Sequence, residues 1–166
     1  MRSHMKFLPV LLVLLAAAAS AQVTTFKSAA DGFQVSVPAA NFKLVGTKTG
    51  TTADGFPFTE DQYAGDNPQG DYIVTVTTYD REVTKDRLVA LANTYKGEIV
   101  TSRDDLDVDG QYAVLRLTKT PQGKMANWMT AKGSRFYQII FGSDKTAEQI
   151  NFDEVNAFVD SFKFVN

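Results

Sequence analysis

The chain has 166 residues, 17 of them basic and 19 acidic, with 44% hydrophobic side chains, one histidine and no cysteine. That histidine is His4, so residues 22–166 hold neither histidine nor cysteine. Ser-His-Asp triads, Cys-His pairs, histidine bases, disulfides and the usual zinc or copper centres are thereby excluded. The mildly acidic balance argues against a nucleic-acid partner, which would need clustered positive charge.

Residues 1–21 read as a cleavable signal peptide. Lys6 precedes an apolar run from Phe7 to Ala19, and Ala19-Ser20-Ala21 is a small-x-small cleavage site before Gln22. Met5 is a plausible alternative start. The run is shorter than the ~20 residues a helix needs to cross a bilayer, so no membrane insertion is expected after cleavage. The expectation is a secreted or periplasmic protein, bacterial in the style of its leader, with residues 22–166 forming one domain.

Phe26, Phe33, Val35 and Val37 alternate with polar residues around Asp31-Gly32, which predicts a strand-turn-strand opening ended by Pro38. Asn41 to Lys48 reads as a further strand. Residues 49–70 mix threonine, glycine and proline around Phe56-Pro57-Phe58 and predict short strands inside a long irregular connection. Asp71 to Tyr79 is dense in Tyr, Ile, Val and Thr and predicts a central strand. Tyr72, Val74 and Val76 lie on one face; Ile73, Thr75, Thr77 and Tyr79 lie on the other. The period then changes. Leu88, Leu91, Ala92 and Tyr95 predict an amphipathic helix, capped by Thr84 and closed by Gly97.

Glu98 to Arg103, Gln111 to Thr120, Met125 to Lys132 and Arg135 to Phe141 predict a meander, turning at Asp109-Gly110, Pro121-Gln122-Gly123 and Gly133-Ser134. Phe152, Val155, Phe158, Val159 and Phe162 predict a terminal helix, with Asn151 and Glu154 spaced as a capping box. Short strands outnumber helices and only one helix lies between strands, which favours an α+β fold, an antiparallel sheet with helices packed on it, over a parallel βαβ wind.

The run Asp31-Gly32-Phe33-x-Val35-x-Val37-Pro38, the strand Tyr72-Ile73-Val74-Thr75-Val76, and the closing runs Arg135 to Gly142 and Phe158 to Phe162 resemble the PsbP-like domain family of photosystem accessory proteins and their exported bacterial relatives. The resemblance implies an α/β/α sandwich used as a protein-binding or assembly-assisting scaffold. It carries over no functional residues, because the sites described for that family depend on histidines and basic segments not found here.

Three features compete as sites. Asp105-Leu106-Asp107-Val108-Asp109-Gly110 has the alternate oxygens and glycine turn of a calcium loop, yet its twelfth position is Arg116, a cation. The competing reading points Leu106 and Val108 inward and turns a hairpin at Asp109-Gly110. Trp128 shares a strand face with Lys124, Ala126, Thr130 and Lys132, and is either a partner anchor or a cover for the sheet. Tyr79 and Arg116 also have polar neighbours and are expected to line the same binding surface. Phe56-Pro57-Phe58 is either an exposed tip or tucked under its loop, and the adjacent acids Glu60 and Asp61 point to opposite strand faces, a poor acid-base pair.

Residues 22–166 contain no G-x-S-x-G, phosphate loop or S-x-x-K run. The expected function is therefore a non-catalytic accessory module that needs no cofactor and binds an envelope protein or small ligand on one sheet face. The alternatives are a carboxylate- or Ser-Lys-dependent hydrolase and a self-assembling envelope protein.

Overall fold

The computed structural model describes residues 22–94 and 97–166; the leader and the expected place of Tyr95 on the first helix lie outside them. β1 (Thr24–Ser28) and β2 (Phe33–Val37) pair antiparallel as the opening hairpin, and the inward side chains Phe33, Val35 and Val37 are fully buried. Gly32 closes the turn at φ 68, a left-handed conformation that residues with a side chain rarely adopt.

Seven strands build the main sheet: β3 (Lys43–Thr51), β4 (Pro57–Asn67), β5 (Gly70–Tyr79), β6 (Glu98–Val108), β7 (Gln111–Thr120), β8 (Gly123–Lys132) and β9 (Arg135–Ser143). Their order is β3-β4-β5-β9-β8-β7-β6, with every neighbouring pair antiparallel. The expected meander is the β6 to β9 half. β5 lies inside the sheet between β4 and β9. The long irregular connection does not exist. β3 runs on to Thr51, and Gly55 at φ 87 turns the chain into β4, an unbroken strand of eleven residues. Its alternation is masked because polar side chains occupy both faces.

Two short helices complete the fold, α1 (Lys85–Ala92) and α2 (Phe152–Asp160). The architecture is thus mostly antiparallel β, a seven-stranded and a three-stranded sheet with minor helices. α2 is not the last element: β10 (Lys163–Phe164) follows it and joins β2, making the small sheet β1-β2-β10. Val155, Phe158 and Val159 of α2 are buried, but Phe152 is 53% exposed and lies off the expected stripe. Asn151 caps α2 by accepting from the Glu154 amide at 3.4 Å. The Glu154 carboxylate instead accepts from Tyr72 Oη at 2.6 Å and Asn67 Nδ2 at 2.8 Å, tying α2 to the main sheet.

The main sheet is covered on both faces. One face carries Tyr72, Val74, Val76, Tyr137, Ile139 and Phe141, which pack with β2, α2 and Phe162 into the principal core. Asp31 closes one end of this core, accepting from Ser28 Oγ at 3.0 Å and from the Tyr63 hydroxyl. Its backbone carbonyl accepts from Tyr137 Oη at 2.8 Å. Burial, with the Asp31 carboxylate beside it, pushes the Tyr63 pKa up to about 12. On the other face α1 packs Leu88 and Ala92 onto Val114, Met129 and Phe136.

Candidate functional site

α1 is short because its ends are specified locally. Thr84 accepts from the Arg87 amide at its start, and Asn93 caps its end. Eight residues span only about 12 Å, so α1 shields the β7–β9 side of its face and leaves β4 and β5 open. A cleft of about 460 Å³ remains there, lined by Glu60, Thr77, Tyr79, Leu91, Phe136 and Gln138, with Thr94 at its edge.

The registers explain the convergence. Glu60 lies opposite Thr77, and Thr77 opposite Phe136, so one rung supplies a carboxylate, a hydroxyl and an aromatic floor. The next rung places Thr75 opposite Gln138. Thr77 Oγ1 donates to Glu60 Oε2 at 3.3 Å. Asn127 Nδ2 donates to Gln138 Oε1 at 2.8 Å, and Gln138 Nε2 has no hydrogen bond among the described residues. Asn127 itself is 1% exposed and its Oδ1 accepts nothing among the described residues, an unsatisfied acceptor directly beside the cleft wall. The cleft therefore offers one acid, the hydroxyls of Thr77, Tyr79 and Thr94, one amide and a partly apolar floor.

Tyr79 borders two further hollows. One, of about 240 Å³, lies between Asp54, Phe56, Arg81 and Arg87; the other, of about 580 Å³, lies over Gly50, Phe58 and Thr78. Burial raises the Tyr79 pKa, opposed by Arg87 and reinforced by Glu60 and Asp54. Phe56 and Phe58 are half-buried. The Arg81 guanidinium lies 3.2 Å from the Phe56 ring centroid, and the Phe58 ring packs on Tyr79 with centroids 6.3 Å apart.

Arg116 is on the same sheet face as Tyr79 but is 2% exposed. Its Nη1 pairs with the Asp104 carboxylate and donates to the Leu115 carbonyl at 3.0 Å, and its Nη2 donates to Asn93 Oδ1 at 3.0 Å. It joins β6 and β7 to the end of α1 and presents no surface. Trp128 is on the opposite face. Its cross-strand neighbours are Leu115 and Ile139, and it packs half-buried against the principal core. Tyr79, Arg116 and Trp128 therefore form no common surface, because the expected patch needed registers that turn Trp128 the other way.

The aspartate run is a hairpin. Val108 is buried, Leu106 packs on the core, and Asp109 (φ 49) with Gly110 (φ 80) makes the two-residue turn. Asp107 Oδ1 accepts from the Gly110 amide at 2.9 Å. Asp109 accepts from the Phe164 amide at 2.8 Å and pairs with Lys163 at 3.2 Å, holding β10. Asp105 lies in an irregularity of β6. Among the described residues no three acidic side chains gather closely enough to hold a cation.

Glu60 and Gln138 carry no site signal of their own in the sequence beyond the adjacency of Glu60 to Asp61, and Asp61 does point away, accepting from Thr47 Oγ1. The signal for them in the sequence is the pair of hydroxyls, Thr75 and Thr77, on one face of a strand otherwise rich in Tyr, Ile and Val. Compared with protein-family models and with curated proteins, the chain finds no match.

Proposed function

We propose that this chain is an exported, non-catalytic binding module that holds a compact ligand in the cleft beside Tyr79. The observation that carries the reading is the convergence of Glu60, Thr77 and Gln138 over the Phe136 and Leu91 side chains in about 460 Å³, a size typical of small-molecule sites. A carboxylate, a hydroxyl and an amide suit a ligand with a donor-rich polar end, an ammonium or a set of hydroxyls, on an apolar body. The lining holds a single carboxylate and no lysine or serine, which favours binding over a carboxylate-pair or Ser-Lys hydrolase.

Export rests on the apolar run and the Ala19-Ser20-Ala21 site. The PsbP-like α/β/α reading draws support from a main sheet covered by α2 and the small sheet on one face and by α1 on the other. The test is calorimetric titration with a panel of primary amines and monosaccharides, run on the chain and on Glu60→Gln. Binding weakened at least tenfold in the variant supports the assignment; equal binding by both overturns it.

A further inference from the structure

Among the described residues both outer strands of the main sheet are unpaired along their outer side, and the single irregularity of β3 is level with one of the two in β6, the other, between Ile99 and Thr101, lying beyond the level of Lys43. β3 and β6 have 9 and 11 residues, almost all exposed. Across the ladder, Leu44 is level with Tyr63, Val74, Ile139, Trp128, Leu115 and Arg103 in turn. Thr47 is likewise level with Leu106. One extra residue is inserted between these two rungs in each outer strand, within Leu44 to Gly46 in β3 and within Arg103 to Leu106 in β6. Bulges bend an edge, so the two edges bend at the same level. With seven antiparallel strands, β3 and β6 also run in the same direction.

The edges carry opposite charge. β3 holds Lys43 and Lys48 and no acid; β6 holds Glu98, Asp104, Asp105 and Asp107 against Arg103. Each also exposes an apolar pair, Leu44-Val45 and Ile99-Val100. Charged, bulged edges ordinarily resist pairing. Here the charges oppose like with like, β3 on β3 or β6 on β6, and favour β3 on β6. We propose that copies of this chain associate end to end, β6 of one against β3 of the next, continuing the sheet by parallel strand addition. A level placement sets bulge against bulge and Lys48 beside Asp107, both on the α1 face of the sheet. Such a head-to-tail contact does not close on itself and builds an open chain of copies. This is independent of the cleft.

Absence of cysteine makes the test direct. Under oxidation, a mixture of Lys48→Cys and Asp107→Cys chains should give a covalent dimer, and the chain with both substitutions a ladder. Lys48→Cys mixed with Glu98→Cys, several rungs away, should give no covalent dimer. The unaltered chain should sediment as concentration-dependent oligomers. Their association should weaken about tenfold as ionic strength rises from about 0.1 M to about 1 M, where the screening length falls from about 10 Å to about 3 Å. Single variants that cross-link as readily as the mixture, or an unaltered chain that is monomeric throughout, would overturn the proposal.

Discussion

Asn127 donates to Gln138 across β8 and β9 at 2.8 Å, and its own carbonyl oxygen is buried without a partner among the described residues. An unsatisfied buried acceptor costs about 1–3 kcal/mol, so this amide is held at a thermodynamic loss while it orients a cleft residue. Asn127→Leu, which keeps the volume and removes the orphan, should leave the unfolding midpoint unchanged or raise it. The same variant should weaken ligand binding by releasing Gln138. Denaturant titration and calorimetry check the two halves separately. A large loss of stability would mean that Asn127 is a structural residue only.

Arg116 is the internal clamp between the sheet and the end of α1. Arg116→Ala removes charge-assisted bonds to Asp104 and Asn93 and should cost about 2–3 kcal/mol. Arg116→Lys recovers little of this, since one ammonium cannot reach both partners in the guanidinium's fork. Urea unfolding of the three proteins gives the ordering.

Tyr63 makes the fold sensitive to alkali. Its hydroxyl is held neutral up to about 12 against an ordinary value of 10.0. The folded state therefore binds the proton more tightly, so this contribution is complete below pH 10 and is lost as pH rises through about 12. Burial and Glu154 raise Tyr72 in the same direction. Stability measured by denaturant should fall between pH 10 and 12, and Tyr63→Phe should flatten that fall. An unchanged slope in the variant would remove Tyr63 as its cause.

At the β6–β7 hairpin, Asp109 holds β10 through Phe164 and Lys163. Asp109→Ala loses this bond and puts a residue averse to positive φ into the turn, costing about 1–2 kcal/mol. Because its carboxylate is already engaged, millimolar calcium should leave the melting temperature of the unaltered chain unchanged. A calcium-dependent rise abolished by Asp109→Ala would restore the metal-loop reading.

Local period carried much of the fold. The meander, β5 and both helices followed from alternation, turn residues and caps close in sequence. β4 did not, because Glu60 on one face and Asp61 on the other gave no apolar side to detect. β10 is two residues long and has meaning only beside β2. Sites were harder to read. Tyr79 stood out beside Thr75 and Thr77, but the burial of Arg116 depends on Asn93 and Asp104, twenty-three and twelve residues away. The direction of Trp128 depends on registers across several strands.

The most direct measurement is amide chemical-shift mapping of the labelled chain titrated with the tightest binder from the amine and sugar panel. The account predicts saturable shifts confined to Glu60, Thr77, Tyr79, Leu91, Phe136 and Gln138 and their immediate neighbours, and their loss in Glu60→Gln. Saturable shifts clustered around Trp128, or no saturable shifts with any member of the panel, would contradict it.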